Sequence, residues 1–298
     1  MRPLPLPTFE DEYISATDLY NVLNNVSRTS CHLHDPLYTL LLDTRPMADY
    51  TYKHIQSAFH SSALKASVIN SKLKSFTHIV IYGSGDVDLD IEQSEKTINI
   101  LSQEGVSFEV LQGGYAEFSA RFPFMCNEMA VWAETERVRK LSIYPSLILE
   151  DWLFQGSGNQ ATDVSMIASC GITHILNIST EHHGAIDKIK YLHIRLMDDG
   201  KSDFSNHFVE VVKFIEMAKS SGGKILVHCN LGVSRSSTAT LAYMMYSYHC
   251  PLLDAFKLLR MRRPISSPNK SFLYQLADFE YYLFGEHLTD AHELWLAV

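Results

Sequence analysis

The run KILVHCNLGVSRSSTATLAYMMY, residues 224–246, constrains the fold more than any other part of the chain. A β-rich apolar segment ends at His228. Cys229, five intervening residues and Arg235 follow, and then an apolar segment compatible with a helix. A strand, a tight loop and a helix N-terminus in that order make an anion site. The backbone N–H groups of the loop (Asn230, Leu231, Gly232, Val233, Ser234) point at one centre, and the helix dipole adds partial positive charge. Gly232 lets the backbone bend close to the anion. Arg235, at the start of the helix, can fork onto two oxygens of a phosphate. The same field favours the thiolate of Cys229. A thiolate beneath a bound phosphate is a nucleophile in line with phosphorus. The plain alternative for Cys229 is a buried structural thiol.

The surrounding pattern is α/β. Ser15 stands as an N-cap before ATDLYNVLNN, which places Leu19, Val22 and Leu23 on one helical face. YTLLLD, THIVIYG and SFEVLQGG read as strands, the last running into a Gly113-Gly114 turn, and Ile91 to Gln103 reads as a helix. The charged stretch NEMAVWAETERVRK reads as a linker. SLILEDWLFQG, THILNIS, KYLHIRL and GKILVHC are four further candidate strands, with a long helix from Ser236. Strands separated by helices imply parallel sheets covered by helices, in two units. The acidic run Asp86, Asp88, Asp90, Glu92 lacks the sixth-position glycine of a calcium loop and reads as a solvated loop.

Composition narrows the classes. The 298 residues suit two domains, and 46% hydrophobic with 20% charged residues excludes general disorder. The net charge is −9, divided as −7 before residue 130 and −2 after it, so no nucleic-acid surface is expected. No apolar run is long enough to cross a membrane, and MRPLPLPTFE lacks the apolar core of a secretory signal. An intracellular, cytoplasmic place is expected, with nuclear and mitochondrial pools left open. Cys31, Cys126, Cys170, Cys229 and Cys250 are odd in number and none pair at CxxC spacing, so free thiols are expected, with no structural zinc and no other metal.

The sequence HCNLGVSRS, with its Cys-x5-Arg core, resembles the protein tyrosine phosphatase superfamily and its dual-specificity branch. That resemblance implies a general acid about thirty residues before the cysteine. HIRLMDD offers Asp198, with Asp199 as runner-up, after the strand Leu192-His193-Ile194. It implies that Ser236 stabilises the departing thiolate and that His228 orients the loop. Asn269, in SSPNKSFLYQLADFE, either braces the loop or is a turn residue. Asn177 in THILNIS matches a core strand. The implied reaction passes through a phosphocysteine on Cys229, with Asp198 first acid and then base and Arg235 on the equatorial oxygens, and needs no cofactor.

LLDTRPMADYTYKHIQSAFH and VLQGGYAEF resemble a rhodanese domain, through Asp43, Arg45, Asp49-Tyr50, His54-Ile55, Ala58, Gly113, Gly114 and Phe118. A working rhodanese needs a cysteine after its central strand. YGSGDVD has none, so sulfur transfer is not expected, and Asp43 and Arg45 are expected to hold the domain together. The resulting layout is a non-catalytic rhodanese-like domain over 13–126, a linker over 127–141 and a phosphatase domain over 142–288. It is similar to the mitogen-activated protein kinase phosphatases, which implies a phosphoprotein substrate and a kinase partner. Lys65, Lys72 and Lys74 are too scattered for the arginine cluster with which that family docks kinases. The chain also resembles, over nearly its whole length, a pseudophosphatase of the group in which the His-Cys pair is replaced. A phosphoprotein-binding regulator with little turnover is therefore the alternative.

Overall fold

The computed structural model describes residues 12–27, 31–65, 69, 71–149, 151–181 and 186–296. The N-terminal stretch read for targeting signals, residues 1–10, lies outside the described residues, as does the side chain of Lys65. The described residues divide into two compact units, 12–143 and 144–296.

In the first unit β1 (Tyr13–Ile14), α1 (Ala16–Leu23), β2 (Thr39–Asp43), α2 (Met47–Tyr52), β3 (His54–Ile55), β4 (Phe59–His60), β5 (His78–Tyr82), α3 (Val87–Gln103), β6 (Glu109–Leu111), α4 (Gly114–Arg121), β7 (Cys126–Asn127) and α5 (Glu134–Lys140) follow in order. The main sheet runs β1-β6-β5-β2-β4, all parallel, and β3 pairs with β7. Ser15 caps α1, its Oγ accepting from the Asp18 N–H at 3.1 Å. Asp43 and Arg45 hold the unit together. Their ion pair is buried and forked, with Arg45 also donating to the Lys53 carbonyl and lying over the Tyr115 ring at 3.7 Å.

Two sequence expectations change here. The acidic run is not a solvated loop but the start of α3, with Asp86 as its N-cap and Asp88 and Asp90 in its first turn, where carboxylates suit the helix dipole. The stretch 127–141 is not a free linker. Trp132 packs against the core and Phe59, and Arg137, 1% exposed, donates to the carbonyls of Val131 and Leu33. A charged sequence can still be buried when an arginine stem is apolar and its head finds carbonyls.

In the second unit β8 (Ser146–Leu149), β9 (Leu153–Ser157), α6 (Gly158–Thr162), α7 (Val164–Cys170), β10 (His174–Ile178), β11 (Lys190–Ile194), α8 (Phe208–Ser220), β12 (Ile225–Cys229), α9 (Arg235–Tyr248), α10 (Leu252–Arg262), α11 (Lys270–Phe284) and α12 (Ala291–Leu296) follow. The sheet order is β11-β10-β12-β9-β8, parallel except for β8. SLILEDWLFQG, expected as one strand, is a hairpin, turned at Asp151 with φ +68°. β12 is central and buried throughout. Ile225 and Val227 join the core under α8 to α11, while Leu226 is buried on the other face. α9 is buried from Arg235 to Met245, which holds its N-terminus rigidly against the end of β12. The unit runs past residue 288, because Ala291 and Leu294 of α12 enter the same core.

Candidate active site

β12 ends at Cys229 and α9 begins at Arg235, so the loop 230–234 crosses the carboxyl end of the sheet. Cys229 lies at its floor, 1% exposed. The Gly232 N–H donates to Cys229 Sγ at 3.2 Å, and Ser236 Oγ lies 3.5 Å from the same sulfur. His228 is buried between Asn177 of β10 and Gly156 of β9, with Nδ1 3.3 Å from the Cys229 carbonyl oxygen.

Four of the five loop carbonyls turn outward onto donors. The Asn230 carbonyl accepts from the Gly158 N–H, and that of Gly232 from Arg263 Nε and Gln155 Nε2. The Val233 carbonyl accepts from Ser237 Oγ and the Ser267 N–H, and that of Ser234 from Thr238. No peptide in the described chain is cis. In a planar trans peptide the N–H of the next residue points opposite to the carbonyl. The N–H groups of Leu231, Val233, Ser234 and Arg235 therefore turn the other way, toward the inside of the loop. With the positive end of α9 behind them, they form a seat for a tetrahedral oxyanion. Gly232 has φ +71°, and a Cβ there would press on the Gly156 carbonyl.

Arg235 is 7% exposed. Its Nη1 donates to the Leu196 carbonyl at 3.0 Å, and its Nε lies 3.5 Å from Asp198 Oδ2. Asp198 Oδ1 accepts from Ser234 Oγ at 2.6 Å and from Asn269 Nδ2 at 2.8 Å. Asn269 also donates its backbone N–H to Ser234 Oγ and caps α11 through the Phe272 N–H. It is thus both a brace and a turn residue. Asp199 points elsewhere. Its Oδ1 accepts from the backbone of Lys201 and Ser202, and the bond with the Ser202 side chain leads the causes that hold this exposed carboxyl below its usual range. Asn230 Nδ2 reaches Glu181 Oε1 at 2.8 Å, and Leu231 stands 75% exposed at the rim.

Residues 153–281 match the dual specificity phosphatase catalytic domain. The chain carries a dual-specificity phosphatase catalytic domain. Over 192 aligned positions it is 32% identical to a Dictyostelium discoideum protein described as "Probable rhodanese domain-containing dual specificity protein phosphatase". That match covers 64% of this chain and 39% of that protein, so the chain spans well under half of that relative's length. It is 28% identical to dual specificity protein phosphatase 1 of Mus musculus over 294 positions, covering 84% of this chain and 80% of the relative. Among solved structures, the human tyrosine phosphatase-like serine/threonine/tyrosine-interacting protein is 29% identical, with a TM-score of 0.45, covering 47% of this chain and 97% of that one.

The dual-specificity phosphatase domain thus brings together Cys229, the loop 230–234, Arg235, Ser236, Asp198 and Asn269, and leaves Asp199 outside the cluster. Sequence reading missed the layer beneath the loop. Gln155 is fully buried in β9 and donates to Gly232, Ser237 and Ser266; Arg263 and Ser146 lie beside it. A lone glutamine inside the apolar run LFQG was the signal, since a polar side chain in a strand buried on both faces needs a specific partner.

Proposed function

We infer that the second unit hydrolyses phosphotyrosine and phosphoserine/threonine in proteins through a phosphocysteine. The observation that carries this reading is the inward-turned loop above a sulfur already held by the Gly232 N–H. Cys229 Sγ attacks phosphorus as the bond to the tyrosine, serine or threonine oxygen breaks. Asp198 delivers a proton to that oxygen. A water then attacks the phosphocysteine, Asp198 takes its proton, and the S–P bond breaks to release phosphate. The loop N–H groups and Arg235 stabilise the equatorial oxygens in both steps. Ser236 Oγ, 3.5 Å from Sγ, supports the departing thiolate in the second step. Asp198 outranks Asp199 because it alone of the two stands against Arg235 and the loop.

The substrate is a phosphoprotein, and a mitogen-activated protein kinase is the candidate that the relatives suggest. The first unit is read as rhodanese-like and non-catalytic. Docking through a basic cluster is not supported, since Lys72 lies over Trp132 within the unit, its Nζ 5.7 Å from the ring centroid. The expected place of action is the cytoplasm, and imaging of tagged protein tests it against nucleus and mitochondria.

A second reading has its own observation. Ser234, Asn269 and Arg235 all converge on Asp198, and they must loosen before it can pass a proton to a leaving group. A phosphoprotein-binding regulator with little turnover fits that arrangement. So does the finer resemblance, to the pseudophosphatase serine/threonine/tyrosine-interacting-like protein 1, from which this chain departs by keeping His228 and Cys229. Turnover of a small aryl phosphate by the wild type, Cys229→Ser and Asp198→Asn decides between them. Turnover abolished in the first variant and slowed in the second supports the enzyme. Equal background in all three supports the regulator.

A further inference from the structure

Arg263 follows α10 and lies beneath the loop, 2% exposed. Its Nε donates to the Gly232 carbonyl and its Nη1 to Ser146 Oγ, both at 2.9 Å. Both acceptors are neutral, and among the described residues no carboxylate pairs with it. A guanidinium stripped of water without a counter-charge is strongly unfavourable. The hydrogen bonding alone does not require it, because the neutral Gln155 Nε2 already donates to the same Gly232 carbonyl at 3.3 Å. What Arg263 adds to the floor of the loop is charge.

Across Gly232 from Arg263 lies Cys229, a group that can carry the opposite charge. Burial lowers the Arg263 guanidinium to about 10, and attraction to Cys229 opposes that shift. Gly232 stands between the two, its N–H on Sγ at 3.2 Å and its carbonyl on Arg263 Nε at 2.9 Å. A Cβ at Gly232 would lie 2.8 Å from Arg263 Nη2, so the glycine is also what lets the guanidinium approach.

We propose that Arg263 is a positioning residue for Cys229: a buried counter-cation that acts through Gly232 to keep the thiolate formed and the loop open. The proposal rests on reading Cys229 as the nucleophile, but it concerns the thiolate rather than turnover. The test is therefore alkylation of full-length protein by iodoacetamide, a neutral probe, with the Cys229 adduct followed by peptide mass spectrometry from pH 5 to 9.5. In Arg263→Gln the rate at pH 6 should fall about tenfold and match the wild type at pH 9.5. Arg263→Lys, which keeps the charge and loses the Nε donor, should restore most of the rate at pH 6. Equal rates at pH 6, or a fall of the same size at every pH, would overturn the proposal, because a merely structural role moves reactivity without moving its pH profile. If Arg263→Gln does not fold, Arg263→Met is compared with Arg263→Lys in the same alkylation series. A fall at pH 6 in Arg263→Met that Arg263→Lys does not share is expected, and equal rates in the two would overturn the proposal. Absent aryl phosphate turnover with the expected alkylation profile would count against the phosphatase reading alone.

Discussion

Each unit carries a strand–loop–helix at the carboxyl end of its central parallel strand, and the two loops have opposite contents. After β5, the N–H groups of Ser84 and Gly85 donate to the Asp90 carboxylate at 2.6 and 2.8 Å, and Ser84 Oγ joins them at 2.8 Å. Asp90 sits in the first turn of α3 and reaches back into the loop. The donors that could seat an outside anion are occupied by the protein's own. After β12 the loop is longer, its carbonyls are drawn outward by Gln155, Arg263 and Ser237, and a sulfur rather than a carboxylate lies at the floor. The comparison teaches that the strand–loop–helix frame creates a potential anion seat in both units, and the side chain that fills or backs the loop decides whether it is open.

The largest test of that contrast is the sulfur. Cys229→Ser should lower aryl phosphate turnover by at least about four orders of magnitude. Ser84→Cys made together with Cys229→Ser, which puts a thiol into the first loop and removes the one in the second, should produce neither phosphate hydrolysis nor thiosulfate cleavage, because Asp90 still holds the N–H groups. Activity above that of Cys229→Ser alone would break the comparison.

Next in size is the general acid. Asp198→Asn should slow turnover by about 10²- to 10⁴-fold, read from steady-state kinetics on a substrate with a poor leaving group. Asp199→Asn should leave it within about threefold of wild type, an ordinary margin for a group that does not reach the reacting atoms. Reversed effects would place the acid at Asp199.

The glycines sharpen the contrast further. Gly232→Ala meets the Gly156 backbone at φ +71°, where nothing can give way, and should cost about 1–3 kcal/mol in urea unfolding together with activity. Gly83→Ala meets the Asp90 carboxylate, and displacing it frees the Ser84 and Gly85 N–H groups, so the cost should approach that of losing this acceptor. Asp90→Ala leaves the Ser84 and Gly85 N–H groups without their acceptor and should cost about 1–3 kcal/mol. Sulfate should restore part of that loss in the variant and leave the wild-type first unit unaffected, read by thermal unfolding. No recovery with sulfate would mean that the first loop is not an anion seat.

The smallest effect concerns Asp199. Its carboxyl is held below the usual range, so the stability it contributes is present above that range and is lost as pH falls through the lowered value. The stability difference between wild type and Asp199→Ala should therefore vanish on acidification. A difference that persists in strong acid would show that the side chain acts by packing instead.

Cys229 and Arg235 could be read from sequence because their chemistry is local: five residues separate them, and one strand, one loop and one helix place both. The α/β class was legible for the same reason, since periodicity is a property of neighbouring residues. The stretch 127–141 and the acidic run were misread because composition reports solubility, whereas Arg137 finds its carbonyls at Leu33, 104 positions away. Asp198 could be named from its register, but its separation from Asp199 required Ser234 and Asn269 to arrive from two other elements.

The chain's linear order was enough to mark Cys229, Arg235 and the parallel sheet that presents them, because those depend on residues close in sequence. Which carboxylate lies against Arg235 and the loop, which loop has its N–H groups occupied and which cation lies beneath the Gly232 carbonyl were decided by packing. Asp198, Asn269, Gln155 and Arg263 meet the loop from separate strands, helices and turns, and only the folded chain brings their charges and donors to one place.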